Sequence, residues 1–294
     1  MSAIVAQIPP PLFALAAGML FATGAQMQNL GLAHMTSRSG TMISICASAI
    51  MLWLLTPFYL KAEYWLQPAI LIFIGIGLIR PSLSTNLSVA GMRMLGPTLS
   101  STMASVSPVF GVTLGILWLG ESLSWSSAFG TIGVILAILL LAKKGKAVER
   151  TWPVWALAFP LGAATIRSSS HVFTKVGMES IPDPLFAALI GFSVSSVITL
   201  IVHNAQRSAP PIPWRTRGPF WFAAGGLTMG VAVLCLNTAL LNGKVVHVLP
   251  IVATAPIFTM LLTIFVFRRE VLTARVIAAV FLVVPSVVFI TLNR

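Results

Sequence analysis

Ten stretches of about 20 mostly apolar residues follow one another along the chain. They lie at 11–32, 40–60, 67–88, 96–119, 124–142, 153–177, 183–203, 218–240, 246–267 and 273–291. Each is long enough to cross the roughly 30 Å hydrocarbon layer as a helix. Nine connections and two tails share what is left of the 294 residues, so no connection holds a folded domain. Hydrophobic residues make up 57% of the chain and charged ones 8%, against about 25% charged in a soluble domain. That composition excludes a water-facing surface, disorder, a disulfide scaffold and a solenoid of soluble repeats. The fold class it leaves is an all-α membrane protein of ten transmembrane helices.

The charge balance, 18 Lys+Arg against 6 Asp+Glu, gives +12. The basic residues stand singly or in short links and no basic patch is interleaved with aromatics, so no nucleic-acid partner is expected. The odd-numbered connections hold Arg38, Arg93, Lys143, Lys144, Lys146, Arg150, Arg207, Arg215, Arg217, Arg268, Arg269 and Arg275; the other side holds Lys61, Lys175, Lys244 and Arg294. The positive-inside rule then places the odd connections in the cytoplasm and both termini outside. Trp65, Trp118, Trp125, Trp152, Trp155, Trp214 and Trp221 fall near span ends, as an interfacial belt requires. Cys46 and Cys235 lie in apolar runs without a CxxC and read as small packing residues. The opening residues lack Lys and Arg, and the apolar run after them is too long for a cleaved signal peptide. The expected setting is a bacterial inner (plasma) membrane, with the lipid bilayer and a small-molecule substrate as partners.

The chain reads as two copies, 1–150 and 151–294. Pro11-Leu-Phe-Ala-Leu-Ala16 matches Pro153-Val-Trp-Ala-Leu-Ala158, with Ala22-Thr23 and Ala164-Thr165 in register. Ser107-Pro-Val-Phe110 matches Ala255-Pro-Ile-Phe258, and Glu121-Ser-Leu-Ser124 matches Glu270-Val-Leu-Thr273. Five spans per copy is odd, so the copies enter the membrane in opposite senses and form an inverted repeat, a transporter architecture.

At these residues the chain resembles the EamA-like branch of the drug/metabolite transporter superfamily. The match is strongest along Ser107-Pro108-Val109-Phe110, Gly120-Glu121-Ser122-Leu123-Ser124, Gly130 and Gly133. The second copy departs from it, with Arg269 before Glu270 and with Ala279 and Leu282 at the paired glycines. The resemblance implies a ten-helix basket whose cavity is lined by spans 1, 3, 4, 6, 8 and 9, with spans 5 and 10 outside. It also implies cytoplasmic termini, opposite to the charge count; the count is given the greater weight.

All six carboxylates fall in connections or at span ends, so the usual acid of a membrane proton relay is missing. His171 and His247 are the groups able to take its place. Arg80 and Arg167 lie about 20 Å into spans 3 and 6, where an unpaired arginine costs at least about 2.5–3.5 kcal/mol. They are read either as anion-binding groups facing a wet cavity or as braces for carbonyls freed by a kink such as that at Pro81. Ser84 follows Arg80 by one turn, and Ser170 and His171 share a face with Arg167. Gln26 and Asn29 on span 1, Asn86 on span 3 and Asn237 on span 8 must also find partners, as substrate contacts or interhelical bonds. Pro108 and Pro256 are matched hinges or kinks. Glu121 and Glu270 are read as caps on the helices that follow them.

The leading function is a secondary transporter for a small anionic or carboxylate-bearing metabolite, an organic anion or amino acid, working by alternating access. An exporter of amphipathic or drug-like compounds is the alternative. There is no Walker A signature, and no cofactor is expected. A polytopic enzyme would need clustered nucleophiles or ligands, which His34, His171, His203 and His247 do not form.

Overall fold

The computed structural model describes residues 8–80, 83–104, 106–141, 153–205, 212–266 and 274–292. Among them are twelve α-helices: α1 (Pro10–Gly31), α2 (Ser37–Tyr59), α3 (Ile70–Ile79), α4 (Leu83–Ala104), α5 (Ser107–Leu119), α6 (Trp125–Leu141), α7 (Ala158–Ser180), α8 (Pro184–Ala205), α9 (Gly218–Asn242), α10 (Val245–Val252), α11 (Ala255–Phe265) and α12 (Ala274–Leu292). Local chemistry sets several boundaries. Prolines open α1, α5, α9 and α11, where a missing N–H costs nothing. Asp183 caps α8 by accepting from the N–H groups of Leu185 and Phe186 at 2.8 and 3.0 Å.

Five helical stretches are long and apolar enough to cross a bilayer: Pro10–Gly31, Ser37–Tyr59, Pro184–Ala205, Gly218–Asn242 and Val245–Phe265. The other expected spans are shorter, interrupted or too polar. In the expected span 3 the helix α3 stops after Ile79; span 4 is interrupted before Ser107, and span 9 between Val252 and Ala255. The last two interruptions stand directly before Pro108 and Pro256, so both prolines mark real breaks in the helical path. Pro81 lies outside the described residues. Within α4, a Cβ on Gly91 would sit 3.1 Å from Ser100 Oγ. Nine residues of straight helix extend about 13.5 Å, so the chain turns back between them. This is the boundary expected between spans 3 and 4.

The molecule presents large apolar side chains outward, as a lipid-facing surface requires, and buries hydroxyl side chains beside an apolar core that includes Phe73, Phe186 and Phe222. Phe58, Leu117, Trp125 and Phe281 are more than three-quarters exposed, whereas Ser39, Ser44, Ser48, Ser127 and Ser168 are buried. Trp65, Trp118, Trp125, Trp155 and Trp214 of the expected belt are exposed.

The main contacts between halves come in exchanged pairs. Helix α1 packs on α9 and on α10–α11, while α7 packs on α3–α4 and on α5. Likewise α2 packs on α9 and α8 on α3, and α2 meets α8, α5 meets α10 and α6 meets α12. Glycines set the closest approaches. Gly24 and Gly225 face each other's backbone across α1 and α9, and Gly226 lies against the Ser44 backbone of α2. On α6 the motif glycines receive the second copy: a Cβ on Gly130 would meet Ser286 and Ile290 of α12, and one on Gly133 would collide with Ser286 Oγ.

That seam yields a prediction. Gly133→Val lowers the stability of the detergent-solubilised protein by about 1–3 kcal/mol through overpacking. Ser286→Ala alone is near neutral, and combined with Gly133→Ala it recovers much of the loss seen in Gly133→Ala alone, as read by thermal unfolding.

Candidate functional site

Two cavities of about 560 Å³ each occupy the interior. The first lies among α1, α2, α3, α4, α7, α8 and α9 and is lined by Gln28, Ser37, Thr41, Ser84, Ser88, Ser195 and Asn237 among others. The second lies among α1, α4, α5, α6, α7, α10 and α11 and is mostly apolar, with Pro108, Ile138, Leu249, Val252, Pro256 and Met260 beside His171. Phe21, Arg80 and Arg167 line both. The two arginines therefore stand where the cavities adjoin.

Their placement follows from the helices. Arg80 terminates α3, its N–H bonded to the Ile76 carbonyl at 2.9 Å, where the helix dipole favours a cation. Arg167 projects from α7, whose register is fixed one residue further on. Ser168 Oγ donates to the Ser107 carbonyl at 2.7 Å and lies 3.0 Å from Ser107 Oγ, serving the interrupted span 4. The two guanidiniums interact electrostatically with each other and with His171. Among the described residues neither makes an ion pair, and no carboxylate lines either cavity.

The remaining expected residues divide. Ser84 and Asn237 line the first cavity but use their bonds internally, to the Ala163 carbonyl at 3.2 Å and the Pro184 carbonyl at 3.2 Å. Gln26 is buried outside both cavities and ties α1 to α11, donating to Thr263 Oγ1 at 2.6 Å and the Thr259 carbonyl at 3.3 Å. Asn29 is exposed and lines neither. The side chain of Asn86 and all of Glu270 lie outside the described residues. His247 lines a smaller pocket of about 260 Å³ with Lys244 and Asn242. Gln28, which donates to Ser44 Oγ at 2.8 Å, was not anticipated. Its signal is the seven-residue spacing from Phe21, which puts both on one face of α1. Spans 2 and 7 line the first cavity and Ile138 of span 5 the second, more helices than the resemblance implied. Small residues on these helices, Ser44, Ser48 and Gly191, leave the space open.

Glu121 caps a helix, but not the one it precedes. Gly120, with φ +64°, turns the chain at the end of α5 in the left-handed conformation that favours glycine. The turn sends the carboxylate across to the other half. There Oε1 accepts from Val245 N–H at 2.8 Å and Oε2 from Val246 N–H at 2.9 Å, at the start of α10. Lys175 Nζ completes the clasp, 2.8 Å from Oε1 and 2.6 Å from the Gly243 carbonyl. Gly115 leaves room, since a Cβ there would lie 3.3 Å from Oε2. The physics expected for Glu121 holds, an anion at a helix N-terminus, but α10 rather than α6 supplies the dipole.

An all-helical membrane fold with membrane-length apolar helices and a buried two-chambered interior defines a multi-pass membrane transporter. The EamA-like transporter family profile matches residues 9–143 and again 154–292, and the chain belongs to that family. Members of this family are transporters rather than enzymes. A solved structure titled only "Crystal structure of protein" superposes with a TM-score of 0.81 at 15% identity, covering 96% of each chain; the likeness is one of fold. No curated protein matches the sequence.

The clasp is testable. With side chains only 7% and 18% exposed, Glu121→Gln costs about 3 kcal/mol in thermal unfolding, because the partner charge stays buried. Glu121→Gln with Lys175→Gln costs less than the sum of the singles.

Proposed function

We propose that this transporter carries a small anionic metabolite by alternating access, with Arg80 and Arg167 as the groups that hold it. The observation that carries this reading is the pair of guanidiniums facing both cavities with no carboxylate partner among the described residues. Interior charges of this kind are costly and mark substrate pathways, and a planar guanidinium grips carboxylate or phosphate through two parallel bonds. The repeat supplies the motion. Two five-span copies, 1–150 and 151–294, inserted in opposite senses rock about a site between them.

The conformation fits one stage of such a cycle. Ser37, Thr41 and Ser88, toward the odd-numbered connections, line the first cavity. Glu121, Lys175 and the start of α10 are clasped at the opposite face. On this reading the site opens toward the basic connections, the cytoplasmic side by charge count, and the clasp holds the other face.

Two experiments test this. In proteoliposomes, Arg80→Gln and Arg167→Gln each reduce anion uptake at least about tenfold while the folded yield is kept; uptake unchanged in both removes the arginines from the site. With Cys46 and Cys235 replaced by alanine, Thr41→Cys reacts with an impermeant maleimide from the face bearing the basic connections, and Glu121→Gln slows that reaction by releasing the clasp. Equal labelling from both faces contradicts the alternating arrangement.

A further inference from the structure

We infer that the substrate is a dianion without an ammonium group, a phosphate monoester or compact dicarboxylate, held by Arg80 and Arg167 together. The inference rests on the anion reading above and narrows it by charge count. Both arginines line both cavities, so a ligand at their junction meets the two guanidiniums at once. They repel each other, and at close range water and salt remove only part of that repulsion. A ligand with one negative charge leaves half of it uncompensated; one with two removes it. An amino acid fits worse, because its ammonium would sit beside two guanidiniums and no carboxylate among the described residues lines either cavity to receive it.

Hydrogen bonding points the same way. Most polar groups around the junction already serve the protein. Ser84 donates to the Ala163 carbonyl, Ser195 to the Gly77 carbonyl, and Ser168 to the Ser107 carbonyl. His171, on the same face of α7 as Arg167, lines the second cavity and makes no hydrogen bond to a described residue. Ser37, Thr41 and Ser88 line the first cavity alone, and the groups shared with or beside the second that make no hydrogen bond to a described residue are two guanidiniums and an imidazole. All three can donate, and the guanidiniums can only donate. Such a set matches an oxygen-rich anion with several lone pairs and offers little to a ligand that must itself donate.

The test uses the full chain in detergent and matched ligands on one frame: succinate with two negative charges, succinamate with one, and aspartate with an added ammonium. Glycerol 3-phosphate is compared with glycerol. A ligand that binds only the folded state raises the unfolding temperature. The expected result is that succinate, glycerol 3-phosphate or both raise it, while succinamate, aspartate and glycerol do not at the same concentration. Arg80→Gln and Arg167→Gln each weaken dianion binding at least about tenfold and narrow the succinate-to-succinamate ratio. Arg80→Lys and Arg167→Lys keep the charge, so they retain the preference for dianions even where a glutamine variant fails to fold. Succinamate or aspartate protecting as well as succinate overturns the dianion and leaves the anion reading standing. Protection by neutral or cationic ligands alone, or by none of the panel, overturns both.

Discussion

The hydrocarbon interior leaves no water to satisfy a backbone group, and every break in a helix must be answered from within the protein. This chain breaks the helical path of span 3 after Ile79, of span 4 before Ser107 and of span 9 before Ala255. Side chains from the opposing half bond to the helices that follow two of these breaks. Ser168 of α7 reaches the Ser107 carbonyl at the interruption of span 4. Gln26 of α1 reaches the Thr259 carbonyl and Thr263 hydroxyl beyond the interruption of span 9. The offset that aligns Pro11 with Pro153 also aligns Gln26 with Ser168. Matching repeat positions thus bond across the halves, with different residues and at different places along the partner helix.

The arginines break that equivalence. The position aligned with Arg167 is Ala25, and the segment of span 8 corresponding to Arg80, residues 222–228, contains no charged residue. Scaffold positions are therefore paired between copies, whereas the charged groups at the junction are not. A pseudo-symmetric frame holding an asymmetric site is what a transporter needs. The frame must exchange two similar conformations, while the site must recognise one ligand that lacks the symmetry of the repeat.

Much of this was legible in the sequence because hydrophobicity and charge act locally. The apolar runs, the breaks before Pro108 and Pro256 and the placing of Arg80 and Arg167 at the cavities all follow from residues read in order. What escaped depends on which face of a helix meets which neighbour. Gln26 and Asn29 share a face by spacing, yet one bonds to α11 and the other is exposed. Gln28, two residues from Gln26, turns into the cavity instead. Glu121 looked like a cap because it precedes α6, but Gly120 reverses the chain and delivers it to α10. Helix-face assignments need the partner helix, and a left-handed turn erases the inference from sequence neighbours.

The clasp and the cavities are parts of the same helices. Lys175 lies eight residues beyond Arg167 and four beyond His171, so one stripe of α7 runs from the junction of the cavities to the closed face, about 12 Å in all. Helix α5 begins with Ser107 and Pro108 at the second cavity and ends at the Gly120 turn that presents Glu121. Helix α10 begins with the N–H groups that Glu121 caps and carries Leu249 and Val252 into the same cavity. Each limb of the clasp is therefore one end of a helix whose other end lines the chamber. Helices transmit displacement along their axes far better than they bend. Under the anion reading proposed above, a ligand that draws α7 inward through Arg167 would also move Lys175 relative to Glu121, and opening the clasp would shift the chamber walls. On that reading the breaks before Pro108 and Pro256 would confine the movement to the halves of spans 4 and 9 that face the clasp, while α6 and α12 pack through their glycine seam.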